Sequence, residues 1–354
     1  MKKALYMRMD IGTKQHPRPP AWTRLGLQTE ARSNAFNLRE VCLAVFVLAF
    51  FAGFIFTTGT AGDLWNRGLD MPTARSELAV TQLDGGIYVA GGISQWGTSN
   101  AFEVFSPATS AWRRLAPLPK ASHHPAMAAA DDRIYFAGGY ADIFFRRILK
   151  DAWVYNPVSD LWDRIANMPA PRAAHKLVAL SGKIYVVGGR GPDATALWVY
   201  DPVTKQWDTS RAPLPTAREH LAAAVADGKL YVIGGRREDH VNMTVVEVYD
   251  PATNRWSRLS HLPAPRGGHT AASIGGRIHV TGGEEIASGK VFADHWIYNP
   301  AEDRWSAAPA MPTARHGVDS AVNGEAWYVI GGGTAAGYWT IFALTDLVEV
   351  YSAR

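Results

Sequence analysis

The sequence predicts an all-β fold: six copies of one four-stranded unit closed into a ring. Three recurring markers carry this. The first is a strand-like apolar run ending in a double glycine: GIYVAGG, RIYFAGG, KIYVVGG, KLYVIGG, RIHVTGG and AWYVIGG, whose first glycines stand at 91, 138, 188, 234, 282 and 331, 46 to 50 residues apart. The second is an aromatic residue followed seven positions later by a tryptophan: Phe105/Trp112, Tyr155/Trp162, Tyr200/Trp207, Tyr249/Trp256 and Tyr298/Trp305. The third is Met or Leu, then Pro, two residues and Arg: MPTAR at 71–75, MPAPR at 168–172, LPTAR at 214–218, LPAPR at 262–266 and MPTAR at 311–315, with LPKAS at 118–122 carrying Ser122 in place of the arginine.

A phosphate-cradling loop would occur once, with G-x-G-x-x-G spacing and a helix behind it, and neither feature follows any of the six glycine pairs. The glycines instead end strands that turn sharply in a crowded sheet. Between each aromatic and its tryptophan lies turn chemistry, as in YDPVTKQW (200–207), YDPATNRW (249–256) and YNPAEDRW (298–305). Asp or Asn before Pro starts a tight turn, and the constant length implies a constant hairpin. One repeat is therefore an inner strand, a second strand ending in Gly-Gly, a loop, a third strand ending in an aromatic, a hairpin, and an outer strand carrying Trp. Four short strands in this period make a propeller blade.

The last repeat has its glycines and Tyr351, but the chain ends before the expected tryptophan. DLWNRGLDMP at 63–72 aligns with DLWDRIANMP at 160–169, so Trp65 supplies it. The strand around Trp65 is predicted to be the outermost strand of blade six, closing a six-bladed β-propeller. Small residues fill the inner strands, as in Ala222, Ala223 and Ala224, which suits crowding near a central axis. Tryptophans at one repeat position indicate packing between blades, and the motif arginines 75, 172, 218, 266 and 315 indicate structural bonds to loop carbonyls.

These markers resemble the Kelch-repeat family, whose signature is the double glycine, the Tyr-x-Pro turn and the spaced Trp. The resemblance covers residues 63–354 and extends to the central domain of galactose oxidase. It implies that the loops after Gly-Gly and after Pro-x-x-Arg open on one face and carry the binding residues. Here those positions are Ile93, Tyr140, Arg190, Arg236, Glu284 and Gly333 after the glycines. After the arginines they are Ser76/Glu77, His123/His124, Ala173/Ala174, Glu219/His220, Gly267/Gly268 and His316/Gly317. The ligand-binding candidates are Glu77, His123, His124, Tyr140, Arg190, Glu219, His220, Arg236, Glu284 and His316. Arginines beside histidines suit an anionic ligand such as a carboxylate; plain solvated loops would vary in the same way.

Loop lengths are uneven. From second glycine to aromatic, blade three takes 11 steps, blade two 16 and blade six 19. The long loops are apolar, DIFFRRIL (142–149) and GYWTIFAL (337–344), and flank blade one, whose own loop carries Trp96. They are expected to wall a groove over blade one. Trp96, Phe144, Phe145, Tyr338, Trp339 and Phe342 are candidates for gripping a protein or sugar; a local mini-core or a membrane contact are the other readings.

Residues 1–40 hold eight Lys/Arg and three acids, a net of +5, and residues 41–62 hold no charge. The whole chain is +4, which leaves residues 63–354 at −1 and gives the folded domain no nucleic-acid footprint. The apolar run VCLAVFVLAFFAGFIF (41–56) lies between a signal-peptide core and a spanning helix in length. Read either as a cleaved signal or as an anchor with the N-terminus in the cytoplasm, it exports the propeller. Cys42 is the sole cysteine, so the propeller has no disulfide, and the cysteine-linked copper chemistry of galactose oxidase is excluded.

No H-E-x-x-H or G-x-S-x-G motif occurs, and adjacent His123 and His124 would point to opposite faces of an extended segment. No metal or other cofactor is expected. Two functions stand: a non-catalytic propeller holding a protein or glycan on its loop face, or a sugar mutarotase/epimerase-like propeller. The second is implied by resemblance to exported six-bladed Kelch propellers acting on sialic acids. Separately, the adjacent pairs Glu219/His220 and Glu284/Glu285 offer titratable groups for proton transfer.

Overall fold

The computed structural model describes residues 64–352. The expected leader and apolar segment, residues 1–40 and 41–62, lie outside the described residues.

The described chain forms six antiparallel blade sheets, each of four main strands, and blade five adds a short fifth strand, Lys290–Val291. The inner strands are Ala79–Leu83, Ala126–Ala130, Lys176–Leu180, Ala222–Ala226, Gly267–Ile274 and Asp319–Asn323. Each lies against the next, and the last lies against the first, so the ring is closed. Blade six is completed as expected: Trp65–Arg67 pairs with Val348–Ser352, with Trp65 opposite Tyr351 and Arg67 opposite Glu349. Sequence reading passed over some short elements in the loops, a two-stranded ribbon Ile93–Ser94/Gly97–Thr98 and 3-10 segments at Ile286–Ser288 and Gly337–Phe342.

The apolar clusters fill the spaces between neighbouring sheets. Tyr88 and Phe102 of blade one, for example, pack with Ile134 and Tyr155 of blade two. Each marker tryptophan stitches one blade to the last. The indole N–H of Trp112, Trp162, Trp207, Trp256 and Trp305 donates to the carbonyl of Leu69, Ala116, Ala166, Ala212 and Ser260 respectively. Trp65 does the same to Pro309, 2.8 Å away, across the closure.

The double glycine has two causes. Both residues are left-handed in every blade, with φ of 65° and 100° at Gly91 and Gly92. A Cβ on Gly91 would sit 2.4 Å from the carbonyl oxygen of Ser122 in the next blade, and one on Gly138 would sit 2.3 Å from that of Arg172. The close approach serves a bond. The second glycine's N–H donates to the carbonyl at the next blade's motif-arginine position, at 2.8–2.9 Å all round the ring.

The motif arginines are structural, and all are buried. Each guanidinium donates to the first-glycine carbonyl of the blade it enters, as Arg172 does to Gly188 at 2.9 Å. In blade two the Ser122 hydroxyl takes that place, 2.7 Å from the Gly138 carbonyl. Arg75, Arg218 and Arg315 also pair with buried Glu103, Glu247 and Glu349. At the equivalent of those glutamates blade three has Trp198, and Arg172 lies 3.9 Å over its ring.

The inner strands surround an axial channel with a cavity of about 470 Å³, walled by small residues such as Ala128, Ala179, Ala224 and Ala321. Lys176 and Asp319 bridge it, 2.7 Å apart.

Candidate functional site

The two loop signatures meet in every blade. The residue after each motif arginine forms a β-bridge with the residue after each glycine pair: Ser76 with Ile93, His123 with Tyr140, Ala173 with Arg190, Glu219 with Arg236, Gly267 with Glu284 and His316 with Gly333. The next residue in each blade turns toward the axis with positive φ: Glu77 52°, His124 54°, Ala174 52°, His220 49°, Gly268 68° and Gly317 60°. Their backbones form one closed circuit. The N–H of Glu77 donates to Gly317, His124 to Glu77, Ala174 to His124, His220 to Ala174, Gly268 to His220 and Gly317 to Gly268, at 2.8–3.0 Å. These bonds hold four non-glycine residues in a conformation that costs on the order of 1–3 kcal/mol each. The circuit forms the neck of the axial channel.

Side chains on this neck form a buried polar network. Arg236 Nε donates to Glu219 Oε1 at 3.0 Å, and its Nη1 donates to Glu284 Oε1 at 2.6 Å. Glu284 Oε2 accepts from the Gly337 N–H and lies 3.3 Å from His316 Nδ1. His316 Nδ1 is 3.7 Å from Glu77 Oε1, and Glu77 Oε2 is 3.2 Å from His124 Nε2. His123 and His124 meet through their Nδ1 atoms at 2.6 Å. The left-handed turn at His124 makes this contact, so the expectation of opposite-facing rings fails because the segment is not extended.

Neighbouring groups hold the carboxylates of this network ionised. Burial would raise the Glu219 carboxyl, but His220 and Arg236 outweigh it and hold the group well below the ordinary carboxylate range. Burial opposes ionisation of Glu284 too, and His316 and Arg236 overcome it. Arg236 is held above its ordinary value against burial by Glu284 and Glu219. Burial pushes His123 down to about 4 and His124 well below its usual range, so both are neutral at pH 7. Tyr140, stacked 5.3 Å from His123, is pushed up to about 12 by burial and by Glu219. Arg190 stands at the edge of the network, about one-third exposed, 3.8 Å from Glu238.

The long loops of blades two and six meet above the neck. The Phe145 ring packs 4.9 Å from His123, 5.4 Å from His124 and 5.0 Å from Tyr140, and it touches Tyr338 edge-on at 5.9 Å. Thr340 is buried and bonds His316 Nε2 at 2.9 Å. Of the six expected gripping residues, Phe145 is thus turned down onto the network. Trp96, Phe144, Tyr338, Trp339 and Phe342 are 65–85% exposed.

Residues that sequence reading missed supply much of the network's support. Asn242 donates to the Glu284 carbonyl at 2.6 Å, the Asp142 carbonyl accepts from His123 Nε2 at 2.9 Å, and Thr340 caps His316. All three lie within loops of differing length, so no repeat offset marks them. Among the described residues, no helix is long and apolar enough to cross a membrane.

Comparison with known proteins agrees with this fold. The family model for the KLHDC2/KLHL20/DRC7 Kelch-repeats domain matches residues 60–189 and 174–350. Human Kelch-like protein 33 is 34% identical over 90 residues, which is 25% of this chain and 16% of that relative. The chain therefore spans a small part of that curated protein's length. The solved structure of YjhT is similar with a TM-score of 0.68 at 18% identity, over 80% of this chain and 99% of that one, a likeness of fold. Six blades, their stitching and the family match lead to one assignment: the chain belongs to the Kelch-repeat family of β-propellers.

Proposed function

We propose that this chain is a binding propeller that holds a protein partner on its loop face, through the aromatic rim formed by blades one, two and six. Kelch propellers are binding modules that generally act on proteins. The observation that carries the reading is the exposure of Trp96, Phe144, Tyr338, Trp339 and Phe342 on one face. Aromatic side chains grouped on a rigid rim supply the anchors around which interfaces concentrate their energy. A glycan stacking on the same rings is the nearest variant. A sugar acid in the neck is disfavoured, because Arg236 is committed to Glu219 and Glu284.

The propeller acts outside the cytoplasm in this reading. The support is the apolar run 41–56 behind a basic stretch, and a propeller that needs no cysteine. Protease added to cells whose outer envelope is opened and whose inner membrane is intact would degrade an exported, periplasmic or extracytoplasmic, propeller and spare a cytoplasmic one.

A photo-crosslinking residue placed at Phe144 or Trp339 of the full-length chain tests the partner face. Val203, 85% exposed in the hairpin at the opposite end of blade three, is the control position. Adducts of discrete mass from Phe144 and Trp339, with none from Val203, support the reading. Equal adducts from all three positions, or adducts from Val203 alone, would sink it. A thermal shift with sugar acids but no adduct would favour the enzyme-like reading.

A further inference from the structure

Glu77, His124 and His220 come from blades one, two and four and occupy the same neck position in their repeats. Their ligand-capable atoms all lie within 4.8 Å of one another. A cavity of about 30 Å³ is lined by all three, room for an ion or one water. The proton arrangement is informative. The Asp142 carbonyl can only accept, so His123 Nε2 carries a hydrogen, and in a neutral ring Nδ1 is then an acceptor. His124 must donate to it from Nδ1, 2.6 Å away, which leaves its own Nε2 as a bare lone pair. That lone pair faces Glu77 Oε2 at 3.2 Å, acceptor against acceptor. His220 differs: both of its buried ring nitrogens lack a hydrogen-bond partner, with Nδ1 3.3 Å from Glu219 Oε1, so Nε2 is free to turn to an ion. Glu77, Glu219 and Glu284 converge here on one guanidinium, that of Arg236, and on the imidazoles of His220 and His316, so a divalent ion would meet carboxylates on its side of the neck.

We propose that the neck of the propeller is a metal site, holding one divalent transition-metal ion of the zinc class through the Glu77 carboxylate and the Nε2 atoms of His124 and His220. Two imidazoles and a carboxylate, without thiolate, form a donor set that suits zinc and its neighbours. The other nitrogen of His124 bonds His123, the arrangement that orients metal-binding histidines, and that of His220 lies 3.3 Å from Glu219. Zinc bonds of about 2.0–2.1 Å bring ligand atoms to roughly 3.3 Å from one another, so small side-chain rotations complete the site. A fourth position faces the cavity and would take a water. The ion would tie the crossing loops of blades one, two and four to one point on the axis.

The test uses the untagged full-length chain, stripped with chelator and titrated with zinc ion alone or cobalt(II) ion alone. The expected result is one ion bound per chain, a visible cobalt absorption band, and a zinc X-ray absorption spectrum with two imidazoles and no sulfur. Glu77→Gln and His220→Gln should each weaken binding by at least about tenfold, the scale of loss seen even for outer-shell partners. Circular dichroism of each metal-free variant checks its fold. Failure of the folded wild-type chain to retain an ion overturns the proposal, as does a spectrum without two imidazoles. So does equal affinity in a folded Glu77→Gln, His220→Gln double variant. The wild-type stoichiometry and spectrum decide the matter should a variant fail to fold.

Discussion

Lys176 Nζ and Asp319 Oδ1 meet at 2.7 Å across the axis of the ring, one from blade three and the other from blade six directly opposite. Asp319 also accepts the Val80 N–H from blade one at 3.0 Å and the Thr270 hydroxyl from blade five at 3.4 Å. One carboxylate thus gathers donors from three other blades. Asp319→Ala leaves a backbone N–H and an ammonium without their acceptor, while the Thr270 hydroxyl keeps Ser320 Oγ at 2.6 Å, and it should cost about 2–3 kcal/mol. Lys176→Met keeps the other two bonds and should cost about 1 kcal/mol or less, since the ammonium is part-exposed. Urea melts of both single variants and the double variant measure this; a coupling near zero would show the pair to be incidental.

The buried motif arginines make a sharper contrast. Arg218 pairs with Glu247 at 2.6 Å, and neither side chain is exposed. Arg218→Met should cost about 3–5 kcal/mol, because it abandons a buried carboxylate. Arg172 has carbonyls and the Trp198 ring as partners but no carboxylate side chain. Arg172→Met should therefore cost less, about 1–3 kcal/mol for unpaired carbonyls. Equal losses in denaturant midpoint would show that the carbonyl bonds, and not the ion pair, make the arginine necessary.

The outline of the fold was readable because each blade repeats the same physical problem. Double glycines, spaced tryptophans and motif arginines recur since every blade must approach, stitch to and support its neighbour. Trp65 betrayed the closure because its surroundings align with Trp162. The site was readable only as positions. Fixed offsets after Gly-Gly and Pro-x-x-Arg located Glu219, Arg236 and Glu284, but not that Arg236 lies between the two glutamates. That pairing joins blades four and five through loops of unequal length. His123 and His124 were misjudged because a left-handed turn has no reliable mark in a non-glycine residue. Phe145 could not be told from Phe144, since neighbouring apolar residues in an irregular loop carry no periodicity. Lys176 and Asp319 stand 143 residues apart, and one sequence offers no sign that such residues meet.

Acid should weaken the seam between blades five and six. His279 Nδ1 and His295 Nε2 are 2.9 Å apart, buried with Trp65, Trp327 and Tyr351. The nearby charge acting on His279 is Arg277, which opposes protonation as burial does. Burial pushes His279 down to about 3, with His295 adding to it, and pushes His295 down to about 4, partly opposed by the Pro309 carbonyl. The folded values lie below the unfolded value of about 6.5, so the unfolded chain binds the extra protons as pH falls. Their contribution is intact above pH 6.5 and is lost progressively toward pH 3–4, by about 1.4 kcal/mol per pH unit for each ring. Melting temperature measured from pH 7.5 to 4.5 should fall, and His279→Asn should make the slope shallower whatever it does to the level. An unchanged slope would mean that other buried rings, such as His175 and His269, carry the acid sensitivity.

Closure of the ring rests most heavily on Trp65. Its indole donates to Pro309 of blade five and packs 5.8 Å from Trp327 and 5.3 Å from Tyr351 of blade six. Trp112, its counterpart in blade one, bonds Leu69 in the same way but is only half-buried. Blade one is also continuous in sequence through all four strands, whereas the Trp65–Arg67 strand reaches blade six only through tertiary contacts. Trp65→Ala should therefore cost about 3–5 kcal/mol, the range for deleting a buried aromatic, and Trp112→Ala distinctly less. The two also differ in kind. Loss of Trp112 weakens one packing contact between blades one and six. Loss of Trp65 frees the outer strand of blade six and exposes the edge of Val348–Ser352, so proteolysis should begin near residues 64–70 and at the C-terminal strand. Equal stability losses with cleavage distributed evenly around the ring would show that the propeller does not depend on this strand for its closure.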